Sequence, residues 1–482
     1  MINKIIHGTA QLVFFQFVTR IFGFLAVIVS TRFLGPTGIG LASTSIVVFS
    51  FFYQFGDLGL SLYGLQVPEE LLPRLWKQRV TLAAFQWLLV NSASQVISLC
   101  NPSYHFAILP IFILSTANFL TSLYFSREVV LRKRLEFNRL NALGLIESTV
   151  GSTMQITLII FGHMGYIAII LGPTIGTLAK CCIYLFNNSH RVSRNFGEGA
   201  NEGASIQANF GMMKRDFSFV KILDYWAGNI DRWSILLISG PKSLAIYSMS
   251  SWLGRVVDVS LSQPIKQILI PAYATMKNQA DKVSEYSRTE YRWTTVLTSL
   301  WAGFLWVEPH PAGILFGSAW LGANIPLRII AVCGVFAPFI NIAGSNMLAF
   351  GKPKQVRIYT FLRLLTIGAG AFPLISTFGV LGLAILDLVA EIIVVVPYIL
   401  FFSKDIMNWF SVLKEGSVPL TSSALSVTLV WMIVPSSCGL IIRAAIFSLF
   451  FAVGVLSLRY KAFKEDVKAL SRTLVCEKTK VL

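Results

Sequence analysis

KILDYWAGNIDRWSILLISGPKSLAIYSMSSWLGRVVDVSLSQPIKQILIP, residues 221–271, reads as two long apolar helices joined by a tight turn at Ser239-Gly240-Pro241-Lys242. Asp224, Asp231, Arg232, Arg255, Asp258 and Lys266 nevertheless stand inside or at the edges of those helices. A charge at the centre of a bilayer costs about 2.5–3.5 kcal/mol on insertion scales, so one that is kept usually faces a bundle interior or a watery cavity. Arg255, Asp258, Ser262 and Lys266 recur three or four residues apart and so share one helix face. The plainer alternative is a salt-bridge network that only locks helix to helix.

Composition agrees with a membrane chain. Of 482 residues, 55% are hydrophobic and 13% charged, and the mean hydropathy is +0.67. Soluble domains carry about 25% charged residues, so the fold class expected is an all-α polytopic membrane protein. The net charge of +17 does not point to nucleic acid, because the basic residues sit in short loops between apolar runs, where they set topology. Cys100, Cys181, Cys182, Cys333, Cys438 and Cys476 form no Cys-x-x-Cys pair, which excludes a disulfide framework or a zinc site. The five histidines lie at ends and in loops, so no metal or catalytic cluster and no cofactor is expected. No removable signal peptide is expected at the N-terminus.

Apolar runs of about 20 residues, enough to span a bilayer, lay out as fourteen helices: 10–33, 41–66, 80–100, 106–126, 141–161, 165–186, 221–239, 244–271, 293–308, 326–349, 357–376, 380–402, 419–435 and 438–458. The loops test that layout. The two ends and the alternate loops on their side hold 30 of the 40 Lys and Arg residues, while the opposite loops hold one, Lys242. That asymmetry predicts both termini in the cytoplasm. Segment 67–79, with Leu71, Leu72, Leu75 and Trp76 among charges, predicts an interfacial amphipathic helix.

Nine cations fall within or at the ends of the apolar runs. Arg32, Lys180, Arg328 and Arg443 lie near helix ends and are read as interfacial anchors. Arg20 stands near the middle of the first helix, and Arg363 about a turn and a half inside the eleventh. Acidic companions are Asp57, Glu147, Asp224, Asp231, Asp258, Asp387 and Glu391.

A repeat is visible. FLGPTGIGLAS (33–43) matches ISGPKSLAIYS (238–248) at an offset of 205 residues, and FGHMG (161–165) matches FGVLG (378–382) at an offset of 217. Both pairs fall on turns of equivalent rank, which predicts six plus six helices related by an axis along the membrane normal. The expected domains are therefore a six-helix lobe at 1–186, a linker at 187–220, a second lobe at 221–402, and two further helices with a basic tail at 403–482.

RIFGFLAVIVSTRFLGPTGIGLAS (20–43), FGDLGLSLYGLQ (55–66) and the Asp-Arg, Gly-Pro, Tyr-Ser, Pro, Pro-Ala order from Asp231 to Ala272 resemble the polysaccharide-transporter family. These are the Wzx-type oligosaccharide flippases of the multidrug/oligosaccharidyl-lipid/polysaccharide exporter superfamily. The resemblance covers about 400 residues, with the helix count. It implies two lobes around a cavity that opens alternately to each side of a bacterial inner membrane. It also implies a polyprenyl-pyrophosphate-linked oligosaccharide as substrate, destined for exopolysaccharide, capsule or O-antigen. A polysaccharide polymerase and a chain-length regulator are the partner proteins such flippases work with.

That cargo suits the charges. Arginine forks and lysine point charges match phosphate oxygens, so Arg20, Arg255, Lys266, Arg232 and Arg363 are the expected cationic cavity. The related lipid II flippases rely on arginines in the first and eighth helices, which hold Arg20 and Arg255 here. Gln16, Tyr53, Gln54, Asn229 and Trp252 are candidates to meet the sugar. Asp57, Asp231 and Asp258 are candidates for gating or ion coupling. For Asp57 three readings stay open: a gate partner of an arginine in the other lobe, a coupling-cation ligand, or a packing ion pair. Pro264 and Pro271 would kink the eighth helix. A multidrug antiporter of the same superfamily is the alternative, disfavoured by the excess of intramembrane cations. A membrane polymerase or acyltransferase is the other, and no long external loop rich in ionisable groups supports it. No nucleotide-binding glycine loop is present.

Overall fold

In hydrocarbon every backbone N–H and C=O must find its partner within the protein, which leaves helices or closed barrels. This chain folds into helices, and among the described residues there is no strand. The computed structural model describes residues 2–57, 60, 64, 69–134, 136–186, 203–260, 280–402, 404, 407–435 and 438–458. Ten helices among them are long and apolar enough to cross a bilayer: the protein is a multi-pass membrane protein.

The chain divides into two compact units, Met1–Ser248 and Met249–Leu482. The first holds α1 (Ile2–Asp57), α2 (Leu72–Cys100), α3 (Ile108–Leu123), α4 (Phe137–Ile160), α5 (Ala168–Phe186) and most of α6 (Gly203–Gly254). A straight helix of 56 residues would run about 84 Å, far beyond the ~30 Å of hydrocarbon. Gly35 breaks it at φ 60°, ψ −175°. Gly240 breaks α6 with nearly the same backbone, φ 78°, ψ −176°. Only glycine adopts that conformation cheaply, and the proline after each pre-sets the first turn of the next limb. The Gly35-Pro36 and Gly240-Pro241 match is thus a match of backbone as well as of letters. The second sequence match is not, since positive φ falls at His163 and Gly165 in one turn and at Gly379 in the other.

These turns also explain why ten spans stand beside fourteen expected ones. Val18–Gln54 counts once although it holds the first two. α6 holds the seventh and the start of the eighth, whose remainder, with Lys266, Pro264 and Pro271, lies outside the described residues. The expected ninth lies in α7 (Ala280–Val307), whose first half carries Asp281, Lys282, Glu285, Arg288, Glu290 and Arg292.

Small residues set the closest packing in the first unit, as they do where lipid supplies no hydrophobic drive between helices. Gly172 and Gly176 of α5 lie against α4, where a Cβ on Gly176 would overlap the Glu147 carbonyl and sit 3.1 Å from Gly151 Cα. Gln155 of α4 donates to Ser30 of α1 at 2.7 Å, deep inside. Buried polar side chains stitch α2 to α3: Asn118 donates to Gln86 and Asn91 to Ser115 at 3.0 Å.

The apolar side chains of Leu71, Leu72, Leu75 and Trp76 pack against protein. Leu72 and Leu75 open α2 and are buried against Phe125, Val129 and Val130 of the short helix Phe125–Lys133. Trp76 Nε1 donates to the Leu123 carbonyl at 3.1 Å. The apolar face of residues 71–76 meets protein, because the short helix Phe125–Lys133 packs over it.

The second unit holds α7, α8 (Asn324–Ala349), α9 (Pro353–Phe378), α10 (Val380–Phe402), α11 (Trp409–Ile433) and α12 (Leu440–Leu458). α8 is its central helix. Phe339, Ile342 and Met347 pack with Tyr291 of α7, Ile399 of α10 and Trp409 of α11. α11 and α12 close on the end of α7 through Val430, Phe447 and Phe451 around Val307.

Candidate functional site

α10 is the most apolar span, with mean hydropathy 2.5, yet it carries Asp387 and Glu391. Four residues apart, they share a face. From Ala390 to Val395 the helix widens into a π-bulge, a feature often found at functional sites, and Glu391 sits in it. Arg255 follows directly on Gly254, the last residue of α6. It places Nη2 2.6 Å from Asp387 Oδ2 and 2.7 Å from Glu391 Oε1. Arg363 of α9 places its own Nη2 2.7 Å from Asp387 Oδ1. One aspartate therefore bridges two guanidiniums, and the four side chains carry two positive and two negative charges.

Exposure is uneven within this cluster. The Asp387 and Glu391 side chains are 1% and 4% exposed, those of Arg255 and Arg363 19% and 22%. The anions are sealed, while the arginine side chains are partly exposed. An incoming anion would meet the guanidiniums first, with the carboxylates behind them holding each fork in place. Glu391 Oε2 is buried with no donor among the described residues. One turn beyond Arg255, Asp258 accepts two contacts from Asn341 Nδ2, at 3.1 and 3.3 Å. That bond tethers the segment to α8.

In the first unit, Asp231 spans the Gly240 turn. Its Oδ2 accepts the Tyr247 hydroxyl at 2.7 Å and its Oδ1 the Arg232 N–H at 2.8 Å. The Arg232 side chain turns the other way, as adjacent helical residues do, and Nη1 reaches Asn229 Oδ1 at 3.4 Å. Asp57 pairs with Arg79 of α2 at 3.8 Å, both about 4% exposed. Arg20 lies half-buried on the first limb of α1, beside the Thr19 carbonyl to which Ser148 donates. Glu147 takes both Lys180, at 3.0 Å, and Thr177, at 3.0 Å.

An aromatic group joins the second limb of α1 to the first limb of α6. The Tyr225 hydroxyl receives Trp233 Nε1–H at 2.8 Å, donates to the Val47 carbonyl at 3.2 Å and lies 3.2 Å from Ser50 Oγ. Phe51 packs edge-on against Trp226 and Trp233. Of the expected sugar contacts, Tyr53 is exposed, whereas Asn229 and Gln54 donate to carbonyls one turn back.

The cluster unites Arg255 with Arg363, two residues expected in the cavity. Asp387 and Glu391, which complete it, were legible only as acidic residues one helical turn apart in the most apolar span. Arg79, the partner of Asp57, sits in a segment that reads as an interfacial loop. Tyr247, though part of the Tyr-Ser pair in the family resemblance, carries no charge and gave no sign that it pairs with Asp231. The side chains of Gln16 and Asp224, with Lys266, lie outside the described residues. Among the described residues, no group of three His, Cys, Asp or Glu side chains could hold a metal ion.

Known proteins bear on this arrangement. The solved lipid II flippase MurJ, in an inward closed conformation, superposes with a TM-score of 0.73 at 13% identity, covering 94% of this chain and all of that one. An inward-facing multidrug resistance MATE family transporter of the MOP superfamily gives 0.62 at 13% identity, over 82% and 96%. A MOP superfamily transporter from Pyrococcus furiosus gives 0.58 at 13% identity, over 83% and 95%. The fold is that of these transporters. In sequence, the teichuronic acid biosynthesis protein TuaB of Bacillus subtilis is 24% identical over 179 residues, 36% of this chain and 37% of that relative. The model of one family, described as polysaccharide biosynthesis protein, matches residues 29–325. With well over half of its length matched, the chain belongs to the polysaccharide biosynthesis protein family.

Proposed function

We propose that this protein flips polyprenyl-pyrophosphate-linked oligosaccharide units across a bacterial inner membrane by alternating access, supplying a surface polysaccharide pathway. The observation that carries the reading is the pair of partly exposed arginines, Arg255 and Arg363, held together by the sealed carboxylate of Asp387. A pyrophosphate presents oxygens that suit two such forks. The carboxylates keep the pair neutral when no substrate is bound, so two cations can persist in apolar surroundings. They also compete with the pyrophosphate for the forks, which favours release as well as capture. Arg20, Arg232 and Lys266 extend the cationic character, and Asp57, Asp231 and Asp258 hold the helices that must move. No bond to the substrate is made or broken.

The same reading takes the chain as fourteen spans in two six-helix lobes plus two helices, with both termini cytoplasmic. The 30-to-1 distribution of Lys and Arg between alternate loops supports it. A polymerase and a chain-length regulator are the partners that would take up the flipped unit. A multidrug cation antiporter, the alternative that the multidrug resistance MATE family neighbours leave open, would call for carboxylates open to a cation. Here Asp387 and Glu391 are already occupied by arginines.

The test is complementation of a strain lacking its own copy, at matched protein level. Arg255→Ala and Arg363→Ala are expected to abolish surface polymer and to accumulate lipid-linked units on the cytoplasmic face. Normal export by both variants would refute the site.

A further inference from the structure

A second cationic pocket lies in the other half of this unit, around the end of α7. The C-terminal carbonyls of a helix carry partial negative charge, and here two arginines take them. Arg328 of α8 donates from Nε to Leu305 O at 3.3 Å and from Nη2 to Glu308 O at 2.6 Å and Pro309 O at 3.1 Å. Arg443 of α12 donates from Nη1 to Val307 O at 3.2 Å. The Arg328 guanidinium lies between the Trp306 and Trp431 rings, 5.8 and 5.9 Å from their centroids. Capping explains why the two cations stand there. It does not use all of their donors.

Arg328 Nη1 and Arg443 Nε and Nη2 have no acceptor among the described residues. Arg443 is 4% exposed, and its Nε is sealed from solvent with no partner. Both arginines line a cavity of about 490 Å³ with Pro309, Trp431, Met432 and Pro435, a size typical of small-ligand sites. The first turn of α12 opens beside it, and a helix N-terminus adds positive potential. The nearby carboxylate, Glu308, turns its Oε1 to the His310 N–H at 3.4 Å, so the balance of these charges is positive.

The surroundings identify the source of the anion. Met432 and Ile441 are each 83% exposed and Ile433 61%, side chains that face hydrocarbon in a membrane protein. An anion reaching this pocket arrives attached to an acyl or isoprenoid chain. We propose that the pocket binds the phosphate of an anionic lipid, with Arg328 and Arg443 as its donors and Met432 at its mouth. The loop charges assign this end to the extracytoplasmic leaflet. The ligand is a glycerophospholipid such as phosphatidylglycerol or a polyprenyl phosphate, since both offer the same group to the same donors. This goes beyond the flippase reading and rests on only one part of it, the orientation that the loop charges support.

Native mass spectrometry of the purified full-length protein tests it, with phosphatidylglycerol, phosphatidylethanolamine, a polyprenyl monophosphate and inorganic phosphate each added alone. One anionic lipid is expected to stay bound, held more tightly than phosphatidylethanolamine. Arg443→Gln should weaken it about tenfold, as expected for loss of a charge-assisted hydrogen bond. Met432→Glu, which leaves every cap intact, should weaken it through like-charge repulsion even if Arg443→Gln fails to fold. Preference for phosphatidylglycerol or for the polyprenyl phosphate names the source, and either supports the pocket. Equal retention of phosphatidylethanolamine, binding of inorganic phosphate without lipid, or wild-type affinity in Met432→Glu would overturn it.

Discussion

Gly40, on the second limb of α1, lies so close to Pro241 that a Cβ at position 40 would overlap the Pro241 carbonyl and sit 3.2 Å from Lys242 N. The start of the second limb of α1 and the Gly240-Pro241 turn, far apart in sequence, meet there backbone to backbone. Neither atom belongs to a flexible side chain, so an added methyl group must move a helix end. Gly40→Ala is expected to lower stability by about 1–3 kcal/mol, the usual cost of overpacking, and to impair polymer export. Thermal unfolding in detergent measures the first. An unchanged melting temperature would mean that the limb and the turn do not meet in this way.

Asp387 is the keystone of the arginine cluster, because it touches both guanidiniums. Breaking a buried ion pair from one side costs about 3–5 kcal/mol, since a charge is left without a partner. Asp387→Leu should fall in that range. Adding Arg363→Met to it should restore part of the loss, because the cation that paired with Asp387 is removed with it. A double-mutant cycle on unfolding free energies reads the coupling directly. Strict additivity would show that the two residues do not interact.

The Asp231–Tyr247 bond closes the Gly240 turn from inside, with Tyr247 fully buried. Tyr247→Phe removes one hydroxyl and leaves Asp231 Oδ2 without its donor. The expected loss is about 1.5–3 kcal/mol, the range for hydrogen bonds to charged groups. Asp231→Asn, which keeps an acceptor, should lose less. Chemical denaturation of both variants checks the order, and the reverse order would deny the carboxylate its role as acceptor.

Hydropathy made the membrane-spanning helical class legible. Val380–Phe402 is apolar enough to be recognised without help, and Gly35-Pro36 and Gly240-Pro241 announce their own turns. The partners of the charges were not legible. Arg255 and Asp387 are 132 residues apart, and no periodicity spans such a distance; only the folding of α9 and α10 around the end of α6 brings them together. Residues 71–76 show the same limit. Their leucine stripe fits lipid or protein equally well, and the choice lay with Phe125, Val129 and Val130. Arg328 and Arg443 read correctly as residues at helix ends, but the helix end they serve is that of α7, which neither belongs to.

The α4–α5 seam offers the sharpest contrast between two glycines. Gly176 meets the Glu147 carbonyl and Gly151 Cα, while Gly144, on the same α4 helix that receives it, has nothing within 4 Å of its would-be Cβ. Both are glycines in apolar helices, and sequence alone treats them alike. Alanine at 144 relieves the helix of a residue that costs about 0.8–1.0 kcal/mol relative to alanine, so Gly144→Ala should be neutral or stabilising. Alanine at 176 must push α5 away from α4 and open the contact at Gly172 as well, so Gly176→Ala should destabilise and Gly176→Leu should prevent accumulation in the membrane. Expression level and melting temperature of the three variants decide the matter. If Gly144→Ala and Gly176→Ala behaved alike, backbone-to-backbone packing would not be what joins these helices.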